Sequence, residues 1–280
     1  MGRTGKPRGA EAFRERYAEL YGPRWRALEE ALAGPADSVP FRAAEGCEPY
    51  FLDSASVFAA RSLLLPKAAE DTAAEDTAAE ERSPLVLDAC AAPGGKSLVL
   101  ASRLAESGGD FRLVANELSA DRRRRLADVL DRHLPPELRA KVEVSGRDAA
   151  SLCRSRPEAF DAILLDAPCS SERHVLADPR ALAEWSPGRS RNLAVRQWAL
   201  LSSAFLMLKP GGRLVYSTCA LAPEENQGVV ARLKAKYGGL FDFDTPGADR
   251  GEAAGPGLLI LPDRSGGAGP IFVCRIVKRR

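Results

Sequence analysis

From residue 84 onward, short apolar runs alternate with longer amphipathic stretches, and this alternation leaves the chain few architectures. Residues 85–88, 111–116, 142–145, 160–166 and 213–217 read as strands that are apolar on both faces. Helical periodicity covers 96–106, 119–133 and 190–208. In the last stretch Leu193, Gln197, Leu200, Leu201, Ala204, Phe205 and Leu208 share one side, and Lys209-Pro-Gly-Gly212 closes it. Strands separated by helices predict an α/β fold, with a mostly parallel sheet covered by helices on both faces. A helix at 223–236 and strands at 240–243 and 271–277 follow, and the Gly- and Pro-rich stretch 246–270 is expected to be a long loop.

Upstream, Phe13, Tyr17, Leu20, Tyr21, Trp25 and Leu28 recur at three- and four-residue steps, so residues 1–35 predict one or two amphipathic helices ended by Gly34-Pro35. Pro49 begins a turn into a further helix, with Asp53 or Ser54 as its cap. An Ala-Glu-Asp-Thr repeat makes 66–83 acidic and of low complexity, a linker between a 1–65 extension and an 84–280 domain.

Lys plus Arg (40) nearly balances Asp plus Glu (38), so net charge alone identifies no partner. The basic residues cluster at the N-terminus, at Arg122-Arg-Arg-Arg125 and at Lys278-Arg-Arg280, where they suit either a phosphate backbone or a solvated surface. Six cysteines include no Cys-x-x-Cys pair, and His133 and His174 lie far apart, so no metal site is expected. Without an apolar leader or a membrane-length run, a cytoplasmic protein with free thiols is expected.

Two features carry chemistry. The first is Asp88-Ala-Cys-Ala-Ala-Pro-Gly-Gly-Lys96, just past the first strand, where an open α/β sheet binds ligands. Gly94 and Gly95 allow close backbone approach, Pro93 fixes the turn, and the helix starting near Lys96 offers free N–H groups. Neither the dinucleotide spacing Gly-x-Gly-x-x-Gly nor the P-loop spacing is present. Glu117 and Asp148 end the next two strands. Singly each suits a cap or a turn, but together they outline a nucleoside pocket. The second feature is a pair of cysteines at strand ends, Cys169 in Asp166-Ala-Pro-Cys and Cys219 in Ser217-Thr-Cys. Following a cofactor loop, they point to covalent thiol chemistry. Cys47, Cys153 and Cys274 read as small core residues.

The loop at 88–96, Asp166-Ala-Pro-Cys-Ser170 and Tyr216-Ser-Thr-Cys-Ala-Leu-Ala-Pro-Glu-Glu-Asn226 occur in the order found in the Sun/RsmB/RsmF family of RNA (cytosine-5) methyltransferases, which this chain resembles from about residue 49 to 230. The resemblance implies a class I, Rossmann-like methyltransferase fold with a small N-terminal helical extension, using S-adenosylmethionine. Cys90, Ala91, Ala92, Pro93, Gly94, Gly95, Lys96, Glu117, Asp148 and Asp166 would then line the cofactor pocket. It further implies Cys219 as the nucleophile on a cytosine, Cys169 as the residue needed for product release, and Asp166 as a contact to the base. RNA is the implied partner, ribosomal in preference to transfer RNA, bound by a monomer.

A target base must leave its stack before a thiol reaches it. Arg173, His174, Arg189 and Arg191, with Trp185 and Arg196, are the candidate RNA contacts; Trp185 and Trp198 equally suit a core, and Trp198, inside a helix, is read that way. The 1–65 extension is expected to touch RNA, alone or with an accessory RNA-binding partner. Two other functions fit the fold: methylation of a protein or small molecule, and a non-catalytic RNA-binding or ribosome-assembly role.

Overall fold

The computed structural model describes residues 8–66, 83–244, 247 and 251–280, so nearly all of the acidic stretch read as a linker lies outside the described residues. Helices α1 (Gly9–Tyr21) and α2 (Trp25–Ala33) come first. An antiparallel ribbon of β1 (Ser38–Phe41) and β2 (Tyr50–Asp53) then leads into α3 (Ser54–Arg61). Asp53 caps α3, accepting the Ala55 N–H at 2.7 Å. The alternating region runs β3 (Leu85–Asp88), α4 (Gly95–Glu106), β4 (Arg112–Asn116), α5 (Ala120–His133), α6 (Pro136–Arg139), β5 (Val142–Ser145) and β6 (Phe160–Asp166). After it come α7 (Glu172–Ala177), α8 (Pro179–Glu184), α9 (Pro187–Met207), β7 (Leu208–Thr218), α10 (Gln227–Tyr237), β8 (Phe241–Phe243), β9 (Glu252–Ala254), β10 (Gly257–Ile260) and β11 (Ile271–Lys278).

Among the described residues one large sheet has the order β5-β4-β3-β6-β7-β11-β10-β9, with β8 also paired to β11. Strands β3 to β7 pair in parallel, and β11 runs antiparallel to β7. The chain adds β4 and β5 on one side of β3, then β6 and β7 on the other. Strand order therefore reverses beside β3, which opens a crevice at the carboxyl ends of β3 and β6. Alternating side chains split the core into two layers. Val86, Leu164 and Val215 face Leu98 and Leu126 on one side. Leu87, Ile163 and Tyr216 face Leu201, Phe205 and Val230 on the other.

The N-terminal helices bury Phe13, Tyr17, Trp25 and Leu28 against Val175, Trp185 and Leu221. Trp185 is 1% exposed and packs edge-on to Phe13 with ring centroids 5.2 Å apart. This corrects the reading of Trp185 as a base-stacking residue: its ring belongs to a closed aromatic core. Trp198 is only partly buried, under the Arg232 guanidinium at 4.9 Å.

Four boundaries differ clearly from expectation, one of them α10, which starts at Gln227 rather than 223. Helix α9 starts at Pro187 rather than 190, because proline suits the first helical position. Lys209-Pro-Gly-Gly212 does not merely end that helix but lies within β7, beside a register irregularity against β6. The expected long loop at 246–270 contains the hairpin β9–β10, which extends the sheet. Its glycines misled the reading. Gly255 turns at φ +60°, and at Gly257 a Cβ would lie 2.6 Å from the Phe272 ring.

Candidate active site

Strand β3 delivers Asp88, fully buried, to the start of the glycine loop, where Ser97 Oγ donates to Asp88 Oδ2 at 2.7 Å. Burial raises the Asp88 carboxyl to about pKa 7, against that hydrogen bond. Its Oδ1 is buried with no hydrogen-bond partner, on a residue that lines the crevice. The glycines are required where they stand. At Gly94, φ is +126° and a Cβ would lie 2.9 Å from Val129; at Gly95, one would lie 2.8 Å from Tyr50.

A cleft of about 100 Å³ is lined by Asp88, Cys90, Ala91, Ala92, Pro93, Gly95, Lys96 and Asp166, together with Tyr50, Leu52 and Ser56. Glu117 is buried at the end of β4 and accepts the Ser119 N–H at 2.9 Å. Arg122 lies 3.4 Å from Glu117 and donates to Ala92 O at 2.9 Å, tying the acid to the loop. Asn116, which the sequence reading passed over, locks three strand ends by donating to Ala89 O and Arg147 O and accepting from Arg147 N. Asp148 is exposed and caps a turn through Ala150 N at 3.1 Å, outside the lining of that cleft. The small side chains, the glycine cradle, the orphaned Asp88 oxygen and Glu117 suit a nucleoside bearing an ammonium group.

At the reaction end, Lys96 Nζ donates to Asp166 Oδ2 at 2.9 Å and to Ser56 Oγ at 3.2 Å, while Ser217 Oγ donates to Asp166 Oδ1 at 2.8 Å. Burial alone would depress the Lys96 pKa, but the Asp166 charge and hydrogen bond outweigh it and raise it. Lys96 therefore stays charged beside Cys219. The Cys169 and Cys219 sulfurs lie 2.9 Å apart, and Cys219 N–H donates to Cys169 Sγ at 3.2 Å. Cys219 is held below the ordinary thiol pKa, first by the Cys169 hydrogen bond, then by Ser171 and the Lys96 charge, against burial. Cys169 is held above it, by its hydrogen bond to Cys219 and by burial. The two shifts are opposite in direction, which makes Cys219 the more acidic thiol of the pair.

A second cleft of about 800 Å³ opens over the thiols, lined by Cys90, Arg122, Arg125, Asp166, Cys169, His174, Arg189 and Cys219 among others. Arg189 also lines a neighbouring groove with Arg8, Arg191 and Arg196. Among the described residues Arg8, Arg125, Arg189, Arg191 and Arg196 form no ion pair. Arg173 lines a further cleft of about 380 Å³ with Lys96, Asp166, His174 and Cys219, and its guanidinium also donates to Gly269 O, Gly34 O and Gly267 O at 2.8–3.0 Å, clamping two loops. In the Arg122–Arg125 run, Arg122 and Arg123 hold local carbonyls, Arg124 pairs with Asp121, and Arg125 faces the cleft. Among the cysteines read as core, Cys274 is buried and pushed up to about pKa 12 by that burial, while Cys47 and Cys153 are half-buried.

The reversed sheet order and the site at its crevice define a class I methyltransferase fold. A solved methyltransferase homologue from Pyrococcus horikoshii shares that fold at a TM-score of 0.70 and 23% identity, covering 95% of this chain and 94% of that one. The profile of the family described as 16S rRNA methyltransferase RsmB/F matches residues 76–267, and the chain belongs to that family. Its methyl donor is S-adenosylmethionine. Ribosomal RNA small subunit methyltransferase F of Klebsiella pneumoniae (strain 342) is 45% identical over 152 residues, 54% of this chain and 30% of the relative. The protein of that name from Shewanella loihica is 38% identical over 234 residues, 82% of this chain and 45% of the relative. The chain thus spans less than half the length of these relatives. No helix among the described residues is long and apolar enough to cross a membrane.

Proposed function

We propose that this chain methylates carbon 5 of a cytosine in RNA, ribosomal RNA in preference to transfer RNA, through a covalent bond between Cys219 and the base. The observation that carries this reading is the pair of sulfurs 2.9 Å apart beside the Lys96–Asp166 ion pair, at the mouth of the glycine loop.

Asp88, Glu117 and the 90–96 backbone would hold S-adenosylmethionine, which would supply an electrophilic methyl group. The rest is work for side chains of this chain. Carbon 5 of cytosine is a weak nucleophile. The Cys219 thiolate adds to carbon 6 and shifts electron density onto carbon 5, splitting one hard step into two easier ones. Asp166 is positioned to accept from the exocyclic amino group of the base, and Lys96 keeps that carboxylate oriented. The Cys219 charge disappears once its sulfur is bonded to the ring. The main influence holding Cys169 protonated disappears with it. Cys169 is then free to ionise, take the carbon 5 proton and allow Cys219 to depart. Arg125, His174 and Arg189 border the thiol cleft, and Arg191, Arg196 and Arg8 continue that rim. Guanidinium groups without an ion-pair partner among the described residues suit the phosphates that flank an extruded base.

The test is Cys169→Ala incubated with cellular RNA and S-adenosylmethionine. The expected result is a protein–RNA adduct that persists under denaturing conditions and vanishes in Cys169→Ala/Cys219→Ala. Full turnover in Cys169→Ala with no trapped RNA would overturn the assignment. Full activity of Cys219→Ala would favour a protein or small-molecule acceptor, and RNA binding without methyl transfer would favour a non-catalytic role.

A further inference from the structure

Behind the two thiols lie two carboxylates that the mechanism does not use. Glu172 and Glu225 are both 0% exposed, and neither has a Lys or Arg partner among the described residues. Burying an unpaired carboxylate costs several kcal/mol, so a pair of them is a poor device for stability alone. Burial is the main cause raising both pKa values, and for Glu225 the nearby Glu172 adds to it.

Most of their hydrogen bonds tie them, directly or through one further side chain, to residues beside the reacting cysteines. Ser170, next to Cys169, gives its N–H to Glu225 Oε2 at 2.9 Å and its hydroxyl to Glu172 Oε1. Gln197 Nε2 donates to the same Glu225 oxygen at 2.8 Å and to Pro168 O, on the other side of Cys169, at 2.9 Å. On the second loop, Leu221 N–H donates to Glu172 Oε2 at 2.8 Å. Asn226, adjacent to Glu225, donates to Ala220 O at 2.8 Å and accepts from the Thr218 hydroxyl, bracketing Cys219. Tyr17 of α1 donates to Glu172 Oε1 at 2.5 Å, so the N-terminal extension joins the network.

We propose that Glu172 and Glu225 are positioning residues that act as a clamp, fixing the separation and orientation of Cys169 and Cys219 by holding the backbone on both sides of the thiol pair. The proposal rests on the reading of these cysteines as the reacting thiols. The clamp works through acceptor oxygens, not through charge. Glu225 Oε1 is buried without a partner, so all of the described side-chain bonding of Glu225 runs through its other oxygen.

The test compares Glu225→Gln with Glu225→Leu in the full chain. Four quantities are measured: kcat and KM on RNA, S-adenosylmethionine affinity, and Cys219 alkylation by iodoacetamide as a function of pH. The amide oxygen of Glu225→Gln accepts the same two N–H groups, so its kcat should stay within about three-fold of the parent. Glu225→Leu has similar bulk and no acceptor. It should lose about 100-fold in kcat, the scale of a 1 Å misplacement, at unchanged cofactor affinity. Its Cys219 alkylation inflection should move to higher pH, because the Cys169 hydrogen bond is no longer held. Should Glu225→Leu fail to fold, Gln197→Leu removes one of the two N–H donors to that oxygen, together with the bond to Pro168 O, and should show the same upward inflection. Leucine variants with parental kcat and an unmoved inflection would overturn the clamp. So would a Glu225→Gln variant as impaired as Glu225→Leu. If Cys169→Ala traps no RNA but the inflections shift as stated, the functional reading fails while the clamp stands.

Discussion

At the carboxyl end of β3 a carboxylate sits fully buried, with one oxygen on Ser97 and the other on nothing. Asp88 is neutral over much of the range in which an exposed aspartate is charged, its pKa raised from 3.8 to about 7 by burial. The raised folded value fixes the sign of the linkage. Folding is favoured fully below pH 3.8, and that contribution is lost as pH rises through about 7. Asp88→Asn removes the titration. Without cofactor it should gain stability over the parent progressively across that window, approaching about 4 kcal/mol at roughly 1.4 kcal/mol per pH unit. Paired denaturant titrations check this, and a difference that does not vary with pH would contradict it. If Asp88 helps to hold S-adenosylmethionine as proposed, the variant should also bind it more weakly. Residues of this kind were legible only when a short local pattern marked them. Cys169 and Cys219 stand in tripeptides at strand ends, and Gly94 and Gly95 beside a proline. Glu172 and Glu225 were not legible, because nothing near them in the chain shows that an acid will be buried.

Among the elements, the parallel strands were readable from their unbroken apolar runs, and their boundaries moved by a residue or two at most, except at β7. The hairpin β9–β10 was not. Glycine in a sequence commonly marks irregular backbone, whereas Gly257 is needed because β10 lies flat against Phe272 of β11. A Cβ at 257 would also meet Val273 O at 2.7 Å, and backbone cannot yield as a side chain does. Gly257→Ala should therefore destabilise the fold by about 1–3 kcal/mol, as overpacking does in a filled interior. Thermal unfolding of the variant checks this, and an unchanged midpoint would show that the hairpin can shift away. Trp185 was misread for a related reason: aromatic spacing does not tell whether a ring closes a core or waits for a base.

The whole molecule turns on one topological fact, the reversal of strand order beside β3. It brings together the loop after β3, the Cys169 loop after β6 and the Cys219 turn after β7, which are widely separated in the chain. That convergence followed from the strand–helix alternation. The depth to which α1 and α2 share a core with α7, and reach Glu172 through Tyr17, did not follow, because it depends on contacts between distant segments. The account as a whole stands on Cys219 forming a bond to the base, and RNA carrying 5-fluorocytidine tests this in the unaltered protein. Fluorine cannot leave as the carbon 5 proton does, so an attached base stays attached after methyl transfer. Peptide mass spectrometry of the stable complex should place the nucleotide on the peptide containing Cys219, with the added methyl group present. Attachment at Cys169, or methylation without any attachment, would contradict it.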